Sequence, residues 1–172
     1  TYALTAPLMI TNAGIALRGG YEGVGSGPGN NDPDLWPTVI TRSSATTHRI
    51  VYLYGADDTM LGNLAIARGV ANEGAGARIE NSQNVMLSGC VITNNTYSAN
   101  SGVAHTGGGL YAAASSSVTL TNCLVLRNSV YQSRDAGPVT AGGGIWCAGS
   151  LSVVDSVIGA NSVLHARADK TE

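Results

Sequence analysis

The chain has no phenylalanine and a single lysine, Lys170, among its 172 residues. Its hydrophobic residues, 44% of the total, are therefore carried by Val, Ile, Leu and Ala, side chains suited to thin stacked layers. Charge is scarce as well: 12% of residues are Asp, Glu, Lys or Arg and the net charge is −2. Such a chain has no basic face to hold a polyanionic backbone, which argues against nucleic acid as a partner. No run of about 18 apolar residues occurs, so no segment is expected to span a bilayer. The three cysteines, Cys90, Cys123 and Cys147, match neither a paired disulfide framework nor a zinc spacing and leave the redox compartment open.

What is present is repetition. Val118-Thr-Leu-Thr-Asn-Cys-Leu-Val-Leu-Arg-Asn128 has a counterpart 33 residues earlier, Val85 to Asn95, and another 33 residues later, Leu151 to Asn161. A fixed period of this size in a chain rich in Gly, Ser, Thr, Asn and Val marks a solenoid, whose repeats bury apolar side chains only against their neighbours. Thr59 to Gly69 matches the unit loosely, with Leu61 in the place of Leu87 and Ile66 in that of Ile92. Each turn can be built from three short strands, in the middle copy Leu110–Ala112, 118–120 and 123–125. Val118, Leu120, Cys123 and Val125 then face inward. The expected columns are Val85/Val118/Leu151, Leu87/Leu120/Val153 and Ile92/Val125/Ile158. The whole chain, 1–172, reads as a single domain with strict repeats over 76–161. A Gly-, Pro-, Asn- and Asp-rich stretch, 19–37, should leave the stack as a long excursion. Ser129 to Thr140 and Thr96 to Thr106 read as loops stacked on one edge. Because Thr1-Tyr-Ala-Leu-Thr5 resembles the middle of a strand, the chain is expected to be part of a longer one. Its terminal coils would be covered by further chain or another subunit.

Two signatures carry a family resemblance. Gly107-Gly-Gly-Leu110 and Gly142-Gly-Gly-Ile145 form the first; Ile92-Thr-Asn-Asn95, Val125-Leu-Arg-Asn128 and Ile158-Gly-Ala-Asn161 form the second. The arrangement resembles the all-β, right-handed parallel β-helices of the pectate-lyase-like superfamily. It is similar in particular to the surface-exposed passenger repeats of chlamydial polymorphic membrane proteins. The resemblance implies an exported protein, secreted or at the cell surface, and implies no reaction and no cofactor.

Candidate sites are few. Asn95, Asn128 and Asn161 share one column and are expected to form a structural hydrogen-bond ladder. Cys90 and Cys123 read as stacked buried thiols, and Cys147 as a small buried hydrophobe. Asn30, Asp32 and Asp34 begin a calcium-loop pattern, but Leu35 and Thr41 stand where its Gly and Glu belong, so a solvated loop is preferred to a metal site. Asp57 and Asp58 read as a capped corner. Acid/base chemistry on this scaffold needs paired carboxylates or a base beside acidic ligands, and the strict repeats are expected to supply almost none on their outward strand positions. Loop residues Tyr97, His105, Tyr131, Arg134 and Asp135 remain as weak ligand contacts. The outward row Val91, Leu124 and Val157 is a weak partner contact. The expected function is a non-enzymatic extracellular scaffold, structural or adhesive, contacting protein subunits or surface glycans. A carbohydrate-active enzyme with its catalytic residues outside the strict repeats is one alternative. A subunit of a multiprotein extracellular assembly is another.

Overall fold

The computed structural model describes residues 1–23, 25, 27–99, 105–132 and 140–165. Strand follows strand, with no helix among these residues, and every ladder pairing is parallel. The first sheet orders Tyr2–Leu4, Thr38–Arg42, Leu64–Ala67, Val91–Thr93, Leu124–Leu126 and Val157–Gly159. The second contains Leu8–Ile10, Val51–Tyr54, Ala77–Glu80, Leu110–Ala112 and Ile145–Cys147. The third contains Ala16–Arg18, Met60–Gly62, Val85–Ser88, Ser117–Thr121 and Ser150–Val154. In each of these sheets successive strands come from successive turns of the chain, which is the topology of a parallel β-helix.

The expected columns are present as paired residues. Val85 pairs with Val118 and Val118 with Leu151; Leu87, Leu120 and Val153 do the same, as do Ile92, Val125 and Ile158. The paired residues are 33 apart here, whereas earlier turns pair Leu61 with Leu87 and Ile66 with Ile92, 26 apart. Alternation along each strand sends one set of side chains inward. Ile50, Val51, Leu53, Leu61, Ile66, Ile79, Leu87, Ile92, Leu110, Leu120 and Val125 are all fully buried. The inward column of the first sheet is dry at its centre but 65% exposed at Tyr2 and 48% exposed at Ile158, its first and last members. Cys90 and Cys123 are free, buried thiols whose sulfurs donate to the Leu61 and Leu87 carbonyls. The hydrogen bond with the adjacent Cys123 sulfur, and then burial, push the Cys90 thiol up. Cys147, expected to be buried, is only half-buried, because its column ends with it.

The asparagine column is a continuous hydrogen-bonded ladder. Asn95 Nδ2 donates to Asn128 Oδ1 at 2.9 Å, and Asn128 Nδ2 donates to Asn161 Oδ1 at 3.0 Å. The same oxygens accept the backbone N–H of Asn95 and Asn128. Each Nδ2 also reaches a carbonyl of the preceding turn, Ile66, Ile92 or Val125. Gly76, Gly109 and Gly144 pack directly against these amides: a Cβ at Gly109 would lie 2.8 Å from Asn128 Nδ2, and one at Gly144 2.6 Å from Asn161 Nδ2. The two sequence signatures are therefore one device, in which glycine leaves the volume that the stacked amide fills.

One expectation needs correction. The segments after Asn95 and Asn128 are not simply loops. Thr96–Ala99, Ser129–Gln132 and Ser162–His165 form a further three-stranded parallel sheet, and His105–Thr106 pairs with Thr140–Ala141. Their polar sequences hid this, because the pairing is inherited from the stacked coils on either side and not from a strong apolar alternation. In the excursion, Tyr21 and Asn31 make an antiparallel bridge, Glu22 N donates to Asn30 O, and Asn31 Nδ2 donates to the Gly19 and Gly20 carbonyls. The excursion is thus a hairpin folded back over the first coil, where Tyr21 and Pro28 roof an apolar cavity of about 380 Å³ walled by Tyr2, Leu8, Leu17 and Ile40. The tail Ala166–Glu172 lies outside the described residues.

Truncating Leu120 to Ala should destabilise the protein by about 2–5 kcal/mol, since the layers above and below cannot both collapse into the gap; a loss under about 1 kcal/mol would show that the side chain is not enclosed. Asn128→Ala should cost about 3 kcal/mol or more, because it strands the buried Asn95 N–H and amide donors without acceptors. Asn161→Ala, at a half-buried rung, should cost less, and denaturant unfolding of the three variants measures the order.

Candidate functional site

Outward positions on the second sheet carry the one concentration of chemistry among the described residues. Between the inward columns, Met9, Tyr52, Arg78, Tyr111 and Trp146 pair in sequence across five strands. In-register parallel pairing stacks like positions about 4.8 Å apart, so planar side chains on this row are brought face to face. Tyr111 and Trp146 are stacked at 5.5 Å between ring centroids with planes 9° apart. The Arg78 guanidinium sits 5.3 Å from the Tyr111 ring centre and 5.9 Å from that of Tyr52, and Arg49 covers Tyr52 at 5.3 Å. The order Arg49, Tyr52, Arg78, Tyr111, Trp146 is a cation–π stack, each partly desolvated contact of which contributes about 0.5–2 kcal/mol.

Two carboxylates lock the centre of the stack. Arg78 Nη1 meets Glu73 Oε2 at 2.7 Å, and Arg78 Nη2 meets Glu80 Oε1 at 2.6 Å. The Tyr52 hydroxyl donates to the other Glu80 oxygen at 2.6 Å. Burial alone opposes ionisation of Glu80, but the hydrogen bonds from Arg78 and Tyr52 outweigh it and hold the carboxyl below its ordinary range. Burial, with the hydrogen bond to Glu80, raises the Tyr52 phenol; burial and the charge of Glu73 raise that of Tyr111. Arg49 is lowered by burial and then by Arg78 beside it. The site is thus a rigid half-buried surface of ionised carboxylates, guanidinium groups and protonated phenols. Stacking consumes most of the ring faces, and the row presents ring edges and polar ends.

The expected site residues are placed elsewhere. Tyr97 pairs with Val130, and Tyr131 pairs with Ser98, in the three-stranded sheet; alternation puts the two tyrosines on opposite faces of it. His105 lies in the short strand opposite Thr140. Arg134 and Asp135 lie outside the described residues. The row Val91, Leu124 and Val157 is in register and continues through Ala65 to Val39; Leu124 is 38% and Val157 55% exposed. In the excursion, Asp32 Oδ1 accepts the N–H groups of Asp34 and Leu35, an Asx turn, and Asn30 Nδ2 donates to Glu22. Asp57 and Asp58 accept hydrogen bonds from Gln83 N and Asn84 Nδ2 across one corner, the capping expected of them.

The expectation that the strict repeats hold almost no outward ionisable group is corrected: Arg78 and Glu80 lie within them. Sequence reasoning followed the second and third strands of each turn and passed over the first. A usable signal existed, because the residue after the Gly-Gly-Gly-aliphatic signature is Tyr111 in one copy and Trp146 in the next.

The depressed carboxyl of Glu80 makes a stability contribution that is present above the ordinary carboxylate pKa and lost as pH falls through the lower folded value. Glu80→Gln should therefore flatten the acid limb of the stability–pH profile and leave the neutral-to-alkaline limb in shape. Thermal melts from pH 7 down to 3 would measure it, and parallel limbs for the two proteins would show that Glu80 is not coupled to Arg78.

Residues 39–167 match the family described as the right handed beta helix region. No curated protein and no solved structure matches the chain at significant similarity. No helix among the described residues is long and apolar enough to cross a membrane, which says nothing of strands. With its parallel sheets in register and most of its length covered by the match, the chain belongs to the right-handed parallel β-helix family.

Proposed function

We propose that this chain is a non-enzymatic extracellular β-helix scaffold that contacts a surface glycan through the Tyr52–Arg78–Tyr111–Trp146 face. The observation that carries the reading is the state of Glu73 and Glu80: both are engaged by Arg78, and Glu80 is held ionised. A general acid for glycoside cleavage needs a carboxyl raised toward neutrality, the opposite of Glu80. Fixed carboxylates, phenols and an indole N–H suit a different task, that of receiving hydroxyl groups at a preorganised surface. A carbohydrate-active enzyme remains the alternative only with a catalytic centre away from this face. The extracellular setting is part of the proposal, supported by the likeness of the paired Gly and Asn signatures to surface-displayed passenger repeats. So is the covering of the two terminal layers by further chain or another subunit.

A second reading, a subunit of an extracellular assembly, is favoured by the aliphatic row from Val39 to Val157, whose last members stand in water. Such a ridge is suited to a protein partner, although strand propensity alone also enriches β-branched residues there.

The glycan reading is tested on an immobilised glycan panel followed by calorimetry with the best oligosaccharide. Trp146→Ala and Tyr111→Ala should each weaken binding about tenfold or more, the scale of a hot-spot aromatic. No binder on the panel, or equal affinity for both variants, would remove the face from the function.

A further inference from the structure

At the Arg49 end of the stack is an open cleft of about 410 Å³ lined by Thr47, His48, Arg49, Asn72 and Tyr97 with Val70 on one wall. Its frame is fixed by backbone: Val70 N donates to His48 O, Val70 bridges Thr96, and the His48 ring is held between the Arg49 and Leu4 carbonyls. Arg49 is the anomaly in this frame. Its Nη1 is buried with no hydrogen-bond partner, and among the described residues it makes no ion pair. The two nearest carboxylates, Glu73 and Glu80, are already bonded to Arg78. One face of the Arg49 guanidinium rests on Tyr52, a contact that leaves the buried Nη1 donor without an acceptor. A desolvated guanidinium edge without an acceptor costs free energy that an incoming anion can recover.

We infer that the Arg49 cleft binds a small carboxylate, whose two oxygens match the forked donors of the guanidinium. Carboxylate is the chemistry singled out because guanidinium donors lie in one plane and pair with it bidentately. Binding requires the unpaired edge of Arg49 to turn from the interior toward the cleft it lines; Asn72 and Thr47 bring further polar groups to the same wall. The volume exceeds that of acetate and admits a carboxylic acid of six to eight heavy atoms or more. The inference does not depend on the aromatic row contacting a glycan.

Calorimetric and NMR titration of the protein with hexanoate, glucuronate and hexanamide tests it. Hexanoate or glucuronate should bind at least tenfold more tightly than hexanamide, whose shape matches hexanoate without the charge. Which carboxylate is preferred distinguishes an apolar carrier from a sugar acid. Arg49→Gln should lose that binding and Arg49→Lys keep part of it, while Trp146→Ala leaves it unchanged. If Arg49→Gln does not fold, Ala71→Leu, at another residue lining the cleft, fills its wall with Arg49 intact and should abolish binding in a protein of unaltered circular dichroism. Carboxylates no tighter than hexanamide, or full binding in folded Arg49→Gln or Ala71→Leu, would overturn the inference.

Discussion

The stack depends on the buried asparagine ladder. A β-helix must turn its chain through corners at which backbone N–H and C=O groups leave the sheets, and each such group costs about 1–3 kcal/mol if buried unpaired. Asn95, Asn128 and Asn161 meet that need with one side chain per turn, donating to a carbonyl of the turn before and accepting from the turn next to it. Because each amide needs its neighbour in the same orientation, the ladder also fixes which residue of one coil lies over which residue of the next. The apolar columns alone would tolerate a slip; the ladder does not.

That coupling explains how much of the molecule was legible. Identical 33-residue spacing of Val118, Leu120, Val125 and Asn128 with their counterparts specified strand order, inward positions and register, and the pairing reproduces them. Short polar strands were not legible, since Thr96–Ala99 and Ser129–Gln132 pair through their place in the stack and not through a pattern of their own. The candidate site was harder. Arg78, Tyr111 and Trp146 were readable as outward neighbours of Ala77, Leu110 and Ile145, but Glu73 and Arg49 reach the same place from corners whose path no local pattern encodes.

The face so assembled is preorganised in a way that loops are not. Its side chains stand on paired strands, their rings are held by their own stack, and their charges are neutralised in place by the two ion pairs to Arg78. Little conformational entropy is left to lose on contact with a partner. The tyrosines of the neighbouring three-stranded sheet, split between its two faces, offer no comparable surface.

After the first turn, where the 19–37 excursion separates Leu17 from Ile40, the corner between the third and first sheets is constant: Leu61 to Ile66, Leu87 to Ile92, Leu120 to Val125 and Val153 to Ile158 are each five residues. The corner between the first and second sheets varies freely, from six residues between Tyr2 and Leu8 to 20 between Val125 and Ile145. Length along the chain is thereby uncoupled from length along the axis, because a short turn and a long one each advance the coil by one strand spacing. The row on the second sheet behaves as a ruler whose graduations stay evenly spaced while the lateral margin is rewritten. Insertions can therefore diversify the flank of this protein without moving Tyr52, Arg78, Tyr111 and Trp146 relative to one another.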